Sequence, residues 1–448
     1  MKYTPVIGLE VHVELKTNSK MFCSCSADYF GQKPNTHTCP VCLGLPGALP
    51  VPNQKAIEWC VMIGKSLGCD TPLFSKFDRK NYFYPDLAKG YQISQYDEPF
   101  CVNGTIKLKS GKVIRIRRVH MEEDTGKLIH EGNISLIDFN RSGVPLVEIV
   151  TEPDFENALE VKEYLQKLQQ IVRYLDVSNA DMEKGNMRLE PNISLADSQL
   201  RIANSKNHKP SAISYLPPYK VEVKNINSFR FVEKAINFEI ERQEKILESG
   251  KTPVQETRGW DEKKNQTVSQ RVKEEANDYR YFPEPDIPPI RWTKEQLAQI
   301  QSQMPELPDE KFERFQKDFG LSDYDAEILT REKETADYFE EAVLVSKNKV
   351  LPKTIANWMI NKKVDSQQTL PAALIIQISL TSQTSPTDEK ELGKLIDEVF
   401  SQNEKAIDDY KNGKESAIMY LVGQVMKSSN QKLNAQTVKE KIIHKIKE

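Results

Sequence analysis

Val6-Ile7-Gly8-Leu9-Glu10-Val11-His12-Val13-Glu14-Leu15 decides how this chain begins to fold. Its apolar and polar residues alternate with a period of two, which describes a strand with two unlike faces. Leu9, Val11, Val13 and Leu15 share one face, and Glu10, His12 and Glu14 share the other. A carboxylate, an imidazole and a second carboxylate on one pleated face can hold a hard cation or polarise a substrate. A solvated strand face would read the same way. Directly after the strand come Phe22-Cys23-Ser24-Cys25 and Cys39-Pro40-Val41-Cys42, which place four of the seven cysteines within 20 residues. Two close cysteine pairs form a zinc pattern, and Pro40 and Gly44 suit a tight ligand turn. The alternative is four buried thiols.

At 448 residues the chain is too long for one ordinary core, so two or three domains are expected. An apolar content of 38% beside 28% charged residues fits a soluble globular protein. No run approaches the roughly 18 apolar residues of a membrane-spanning helix. Met1-Lys2-Tyr3-Thr4-Pro5 leads straight into a strand without a signal-peptide core, so a cytoplasmic location is expected. Thiols stay reduced there, which favours metal binding over disulfides for the paired cysteines. Cys60, Cys69 and Cys101 are scattered and read as packing residues. A net charge of −3 makes the whole chain a poor electrostatic attractor for nucleic acid. Local patches differ: Arg115-Ile116-Arg117-Arg118 is basic, and the C-terminal stretch carries Lys411, Lys414, Lys427, Lys432, Lys439, Lys441, Lys445 and Lys447. Each fits either phosphate contact or a solvated face of mixed charge.

The first 290 residues mix short strands, turns and a few helices, an α+β pattern. Asn103-Gly104 and Ser110-Gly111 suggest hairpin turns. Asp154 suits the N-cap of a helix whose apolar face holds Val161, Tyr164, Leu165, Leu168, Ile171, Val172 and Leu175. Asn227-Ser228 precedes a second helix, carrying Val232, Ala235, Ile236 and Ile240 and ending near Gly250. Pro283-Glu284-Pro285-Asp286-Ile287-Pro288-Pro289 stops regular structure, and a domain boundary is expected there. The expected domains are residues 1–290, a helical domain over 291–389, and a tail over 390–448. Helical patterns run over 294–303, 308–319 and 325–350, and Thr381–Thr387 reads as a linker. In the tail, Ile418, Leu421, Val422, Val425 and Met426 form an apolar stripe expected to be core.

No Gly-x4-Gly-Lys-Ser/Thr loop, dinucleotide fingerprint or Gly-x-Ser-x-Gly elbow occurs. The reactive inventory is therefore carboxylates and His12. Glu122, Glu123 and Asp124 follow His120, either as part of a site or as a solvated turn. Glu148 lies among Leu146, Val147, Ile149 and Val150, where a carboxylate is costly unless paired or metal-bound. Glu190 follows Met187-Arg188-Leu189. These parts suit a magnesium–ATP site, since magnesium prefers oxygen ligands and phosphoryl transfer needs cations.

Eight ordered blocks carry a resemblance to a known family. They are Val6 to Leu15, Cys39 to Gly47, Lys76 to Asp86, Tyr91 to Gln95, His120 to Lys127, Pro145 to Ile149, Lys224 to Phe229 and Asp278 to Asp286. Together they resemble the GatB family, the B subunit of the tRNA-dependent Asp/Glu amidotransferase. The likeness covers roughly residues 1–290 and returns at Val422 to Lys427. It implies a cradle-like catalytic domain, a helical domain and a small tail similar to the YqeY family that reaches for tRNA. The family's small, basic segment before the tail has no counterpart between about 365 and 395.

The resemblance further implies an ATP-dependent carbon–nitrogen ligase. In such an enzyme the side-chain carboxylate of misacylated Asp-tRNA(Asn) or Glu-tRNA(Gln) becomes an acyl phosphate and then reacts with ammonia. Glu10, His12, Glu123 and Glu148 match metal and nucleotide positions, with His12, Glu123 and Glu148 as the magnesium set. Glu190 stands where the family usually has Asp. Arg188 and Lys224 are candidates for phosphate contact by type and position. The ammonia would come from a separate amidase A subunit, braced by a small C subunit. Two other readings are a non-catalytic, zinc-stabilised tRNA-binding adaptor and a free-standing enzyme activating a small carboxylate.

Overall fold

The structure is a computed structural model that describes residues 2–198, 216–272, 279–362, 364–366, 368–382, 389–411, 414, 416–429 and 435–447. Its contacts divide the chain into two units. One holds Met1–Glu313 with Arg331–Lys333, and the other holds Arg314–Thr330 with Glu334–Glu448. The α+β expectation holds, with strands in the first unit and helices alone in the second among the described residues.

The strands in chain order are β1 (Tyr3–Glu14), β2 (Phe74–Ser75), β3 (Asp78–Asn81), β4 (Tyr91–Ser94) and β5 (Cys101–Lys107). Next come β6 (Val113–Glu123), β7 (Lys127–Glu131), β8 (Ile134–Asp138), β9 (Pro145–Thr151) and β10 (Met187–Asp197). Last are β11 (Val221–Lys224), β12 (Glu256–Asp261), β13 (Gln266–Val272), β14 (Phe282–Pro283) and β15 (Ile290–Arg291). Eight of them form one sheet in the order β13-β12-β11-β10-β1-β9-β6-β5. All its pairs are antiparallel except β11 with β12.

The alternation in β1 propagates across its neighbours. Val11 pairs with Leu189 and Ile149, and Val13 with Met187 and Val147, so one face is apolar. Helices α1 (Gln54–Ser66), α2 (Ala158–Tyr174) and α3 (Phe229–Glu248) join that face in one core through Ile63, Leu165 and Ile236. Asn53, Asn157 and Ser228 cap these helices, each accepting a backbone N–H from the first turn. The N-cap expected at Asp154 therefore falls at Asn157 instead. Asp154 is occupied by Arg115, whose Nη2 lies 2.6 Å from its Oδ1.

Asn103-Gly104 is not the expected hairpin turn. It lies inside β5, and the chain reverses at Ser110-Gly111. Gly104 is needed for a different reason. A Cβ there would stand 2.3 Å from Cys69 Sγ and 2.8 Å from the Leu67 carbonyl, in the turn that follows α1.

Pro283–Pro289 is likewise not where the first unit ends. β14 pairs with β3, and β15 pairs with β2. Glu284 takes a two-pronged ion pair from Arg79, at 2.7 and 2.8 Å. Helix α4 (Lys294–Ser302) then buries Ile300 in the same core, so the first unit continues beyond residue 290.

The second unit begins within α5 (Pro308–Phe319). The helix expected over 325–350 is two, α6 (Asp323–Leu329) and α7 (Lys333–Ser346), with Phe315, Phe319 and Phe339 in mutual ring contact. There follow α8 (Pro352–Asn361), α9 (Pro371–Ser382), α10 (Glu389–Gln402), α11 (Glu404–Lys411), α12 (Ser416–Ser428) and α13 (Ala435–Lys447). Of the expected linker, Thr381 and Ser382 end α9, and the rest lies outside the described residues. Ile418, Leu421, Val422 and Val425 are core with Leu392, Ile396 and Val438, whereas Met426 is 40% exposed. No described helix is long and apolar enough to cross a membrane.

Gly104→Ala is expected to destabilise the first unit by roughly 1–3 kcal/mol, the usual cost of overpacking. Thermal unfolding beside the wild type measures it; an unchanged midpoint would contradict the close approach at Cys69.

Candidate functional site

The polar face of the sheet collects charge from four successive strands. In one row, His120 of β6 pairs with Glu148 of β9, which pairs with His12 of β1, which pairs with Arg188 of β10. One step along the strands, Glu10 pairs with Glu190. Strand β11 adds Glu222, opposite Asn192, to the same face.

Glu148 is buried and lies between two imidazoles. His120 Nε2 is 3.2 Å from its Oε2, and His12 Nε2 is 3.6 Å from the same oxygen. Burial raises a carboxyl pKa, but the two histidines overcome it and hold Glu148 well below the ordinary range. The reciprocal effect acts on His12. Burial lowers it, yet the hydrogen bond and charge of Glu148, with Glu190 and Glu122 behind, raise it to about 9. His120 is raised by Glu148 and Glu122 against the same burial.

Glu122 completes the group. Its Oε1 accepts from Ser94 Oγ at 2.8 Å and lies 3.4 Å from Lys80 Nζ, and its Oε2 accepts from Gln92 at 3.0 Å. Burial opposes ionisation, but Lys80 and His120 hold Glu122 down at about 2. His12, Glu122 and Glu148 each offer a ligand atom within 4.8 Å of the others. The Nδ1 atoms of His12 and His120 are buried without a hydrogen-bond partner.

Glu123 does not join this group, contrary to the sequence expectation. Its carboxylate is taken by Lys89 Nζ at 2.5 and 2.6 Å and by the Ile93 N–H at 2.9 Å. Alternation along β6 is the cause, since a residue that shares a face with His120 must be 122 and not 123. The His120-Met121-Glu122 pattern carried that signal in the sequence.

Glu10 belongs to a second group with Glu190 and Glu222, whose ligand atoms again lie within 4.8 Å of one another. Lys224 Nζ sits 2.9 Å from Glu190 and 3.5 Å from Glu222, and Asn192 Nδ2 donates to Glu10 at 3.0 Å. Burial, then Glu148 and Glu190, raise the Glu10 pKa. Sequence reasoning passed over Glu222, although the alternation of Val221-Glu222-Val223-Lys224 places it beside Lys224. Arg188 turns toward Asp124, at 2.7 Å, and Glu14, at 3.6 Å. Burial and Asp124 push Glu14 up to about 8 against the pull of Arg188. Beyond Glu10 lies a cavity of about 330 Å³, lined in part by Gly8, Leu9, Asn192 and Tyr219.

The basic stretch is largely neutralised, because Arg115 bonds Asp154 and Arg117 bonds Glu152. In the tail, Lys445 pairs with Asp397 and Lys414 with Asp409, whereas Lys432 lies outside the described residues.

The four cysteines converge on the loop after β1. Each offers its sulfur within 4.8 Å of the others, and Cys39 and Cys42 are 3.9 Å apart. Bonds of about 2.3 Å from a tetrahedral zinc would put sulfurs roughly 3.8 Å apart, so the cluster has the dimensions of such a site. The Cys39 N–H points at Cys42 Sγ at 3.1 Å. That contact, a hydrogen bond from Cys23 and the nearby Lys20 ammonium bring the Cys42 thiol down to about 5 despite burial. Cys23, as the donor, is correspondingly pushed up.

Similarity to known proteins runs through both units. The GatB/GatE catalytic domain matches residues 5–298, and the GatB domain matches residues 329–446. A protein of Persephonella marina is 45% identical over 98% of both chains. One of Thermotoga maritima is 44% identical over the whole of both, and one of Carboxydothermus hydrogenoformans is 43% identical over 99% of both. All three are named as the B subunit of an aspartyl/glutamyl-tRNA(Asn/Gln) amidotransferase.

The raised His12 pKa sets a pH dependence. A group whose folded pKa exceeds its ordinary 6.5 contributes stability that is complete below about 6.5 and lost as pH rises through the folded value. In buffer free of divalent cations, the thermal midpoint is expected to fall as pH rises toward 9. His12→Gln should flatten the decline, and identical pH curves for the two proteins would contradict the pairing with Glu148.

Proposed function

The chain belongs to the GatB family, and on that premise we propose that it is the carboxylate-activating subunit of a glutamine-dependent tRNA amidotransferase, working in the cytoplasm. The observation that carries this reading is the buried Glu148 between His12 and His120, with Glu122 and the Glu10–Glu190–Glu222 group on the same face. A binder of tRNA phosphates would have no use for buried carboxylates there, which weighs against a mere adaptor.

ATP is the activating substrate in this reading. The donor set of His12, Glu122 and Glu148 suits magnesium, as does the all-oxygen set of Glu10, Glu190 and Glu222. Magnesium, when bound, would neutralise charge on the transferring phosphoryl group. Lys80 and Lys224 border the two carboxylate groups and supply fixed positive charge for the phosphates. Arg188, tied to Asp124, adds a third cation. His12 and His120 flank Glu148, favour its ionised form and fix its direction.

The substrate is tRNA misacylated with aspartate or glutamate. A side-chain carboxylate oxygen attacks the γ-phosphorus of ATP, the bond to the bridging oxygen breaks, and ADP leaves. Ammonia then attacks the activated carbonyl carbon, phosphate departs, and the nitrogen loses a proton. Asn-tRNA(Asn) or Gln-tRNA(Gln) results. The ammonia is released from glutamine by a separate amidase A subunit, with a small C subunit bracing the pair. The four cysteines would hold one zinc, and an all-thiolate site of that kind would act structurally on the loop beside β1.

Two measurements test these assignments. With its partner subunits, Glu148→Gln is expected to lower ATP-dependent amidation on the order of 10²–10³-fold, as for loss of one fixed electrostatic group, while the KM for misacylated tRNA stays near wild type. Equal losses in both would point to misfolding and against the assigned role. Metal analysis of purified chain should find about one zinc per chain, and Cys39→Ser with Cys42→Ser should lower both zinc content and thermal midpoint. Zinc-free protein with unchanged stability in chelator would refute the structural metal.

A further inference from the structure

The Tyr279–Asp286 segment brings aromatic rings to the edge of the carboxylate row. Tyr281 stacks on Tyr96 with ring centroids 4.4 Å apart and planes 14° from parallel. Tyr279 meets Tyr281 edge-on at 6.1 Å and Tyr82 at 6.0 Å. Neither Tyr96 nor Tyr281 belongs to the hydrophobic core, and Tyr96 is 53% exposed. The segment is tied in place from both directions. Asn81 N–H donates to the Tyr279 carbonyl at 2.9 Å, its side chain donates to Arg280 O at 2.8 Å, and Arg79 grips Glu284. Tyr281 is half-buried and backs Tyr96, whose exposed ring is thereby held in place to receive another flat ring.

The surroundings are those of a nucleic-acid end. Lys80 Nζ lies 5.5 Å over the Tyr279 ring while it also faces Glu122. Arg118 donates from Nη1 to the Tyr96 carbonyl at 3.3 Å, and its buried Nε has no hydrogen-bond partner. Tyr281 senses the charges of Lys80, Glu122, Glu148 and Arg118, and after burial these shape its raised pKa of about 12. The ring pair therefore borders the buried carboxylates and has the Arg118 guanidinium within reach.

We propose that Tyr96 and Tyr281 form a stacking platform for an unpaired nucleobase, the terminal base of the aminoacylated tRNA, with Arg118 beside its phosphate. This rests on the tRNA-dependent reaction proposed above. The amino acid is esterified to the terminal ribose, so the last base must lie close to the activated carboxylate. Stacking reads no sequence, which suits an end common to both tRNA substrates. The adenine of ATP offers the same chemistry, but the cavity beyond Glu10 is available to it, where Asn192 has a buried Oδ1 without a partner.

The test uses the full chain assembled with its amidase partner. Tyr96→Ala and Tyr281→Ala are expected to raise the KM for misacylated tRNA by roughly 5- to 150-fold, the range set by stacking of one base. They should leave the KM for ATP unchanged and lower kcat far less. Tyr281→Phe and Tyr96→Trp, which keep a stacking face, should restore the tRNA KM. In direct binding of the full chain to tRNA, removal of the 3′-terminal nucleoside should weaken wild type and add no further loss to Tyr281→Ala. A rise in the ATP KM alone would overturn the assignment in favour of the ATP base. Unchanged constants for both substrates would overturn the platform, while sensitivity to Glu148→Gln in the same assay would leave the ligase reading standing. A wild-type complex without ATP-dependent amidation would remove both.

Discussion

Glu148 carries a negative charge into the middle of an eight-stranded sheet, and the polar face is organised around keeping it there. An unpaired carboxylate at such a depth costs several kcal/mol, and removing one partner of a buried pair leaves that penalty exposed. His12 and His120 flank it from the strands on either side, and each is drawn toward its protonated form by the same carboxylate. Lys80 repeats the arrangement one step away at Glu122. The row is therefore a set of mutually dependent charges, in which each partner fixes the protonation of the next. Such a surface can meet the triphosphate of ATP without reorganising at the moment of reaction, which is where electrostatic catalysis gains most.

That face exists because the opposite face of the same strands is largely apolar. Val11, Val13, Ile149, Val147 and Leu189 anchor the sheet on α1, α2 and α3, and register then leaves the polar residues no choice of side. Two outlying segments are fastened to this platform by different means. The cysteine loop after β1 is drawn together by four sulfurs. The Tyr279–Asp286 segment is held by strand pairing and by the two-pronged Arg79–Glu284 bridge, whose carboxylate side chain is fully buried.

The sequence by itself determined a good deal. The period of two in Val6–Leu15 placed Glu10, His12 and Glu14 on one face, and the cysteine spacing brought four thiols into one cluster. The apolar neighbours of Glu148 announced a paired carboxylate, because burial cost is local and legible from composition. The family resemblance pointed to Glu123, whereas alternation along β6 assigns Glu122 to the face of His120.

What only the tertiary structure decided was partnership. That Glu148 meets two histidines, that Glu10 answers to Glu190 and Glu222, and that Lys224 belongs to them, follows from strand order and register between segments far apart in the chain. The proline-rich segment at 283–289 looked like a boundary because proline ends regular structure locally. It is instead strapped to β3 by a charge pair, Arg79 with Glu284, that no local pattern encodes. Local propensity acts within a few residues, whereas electrostatic and strand pairing act across space. Only the folded sheet brings those two scales together.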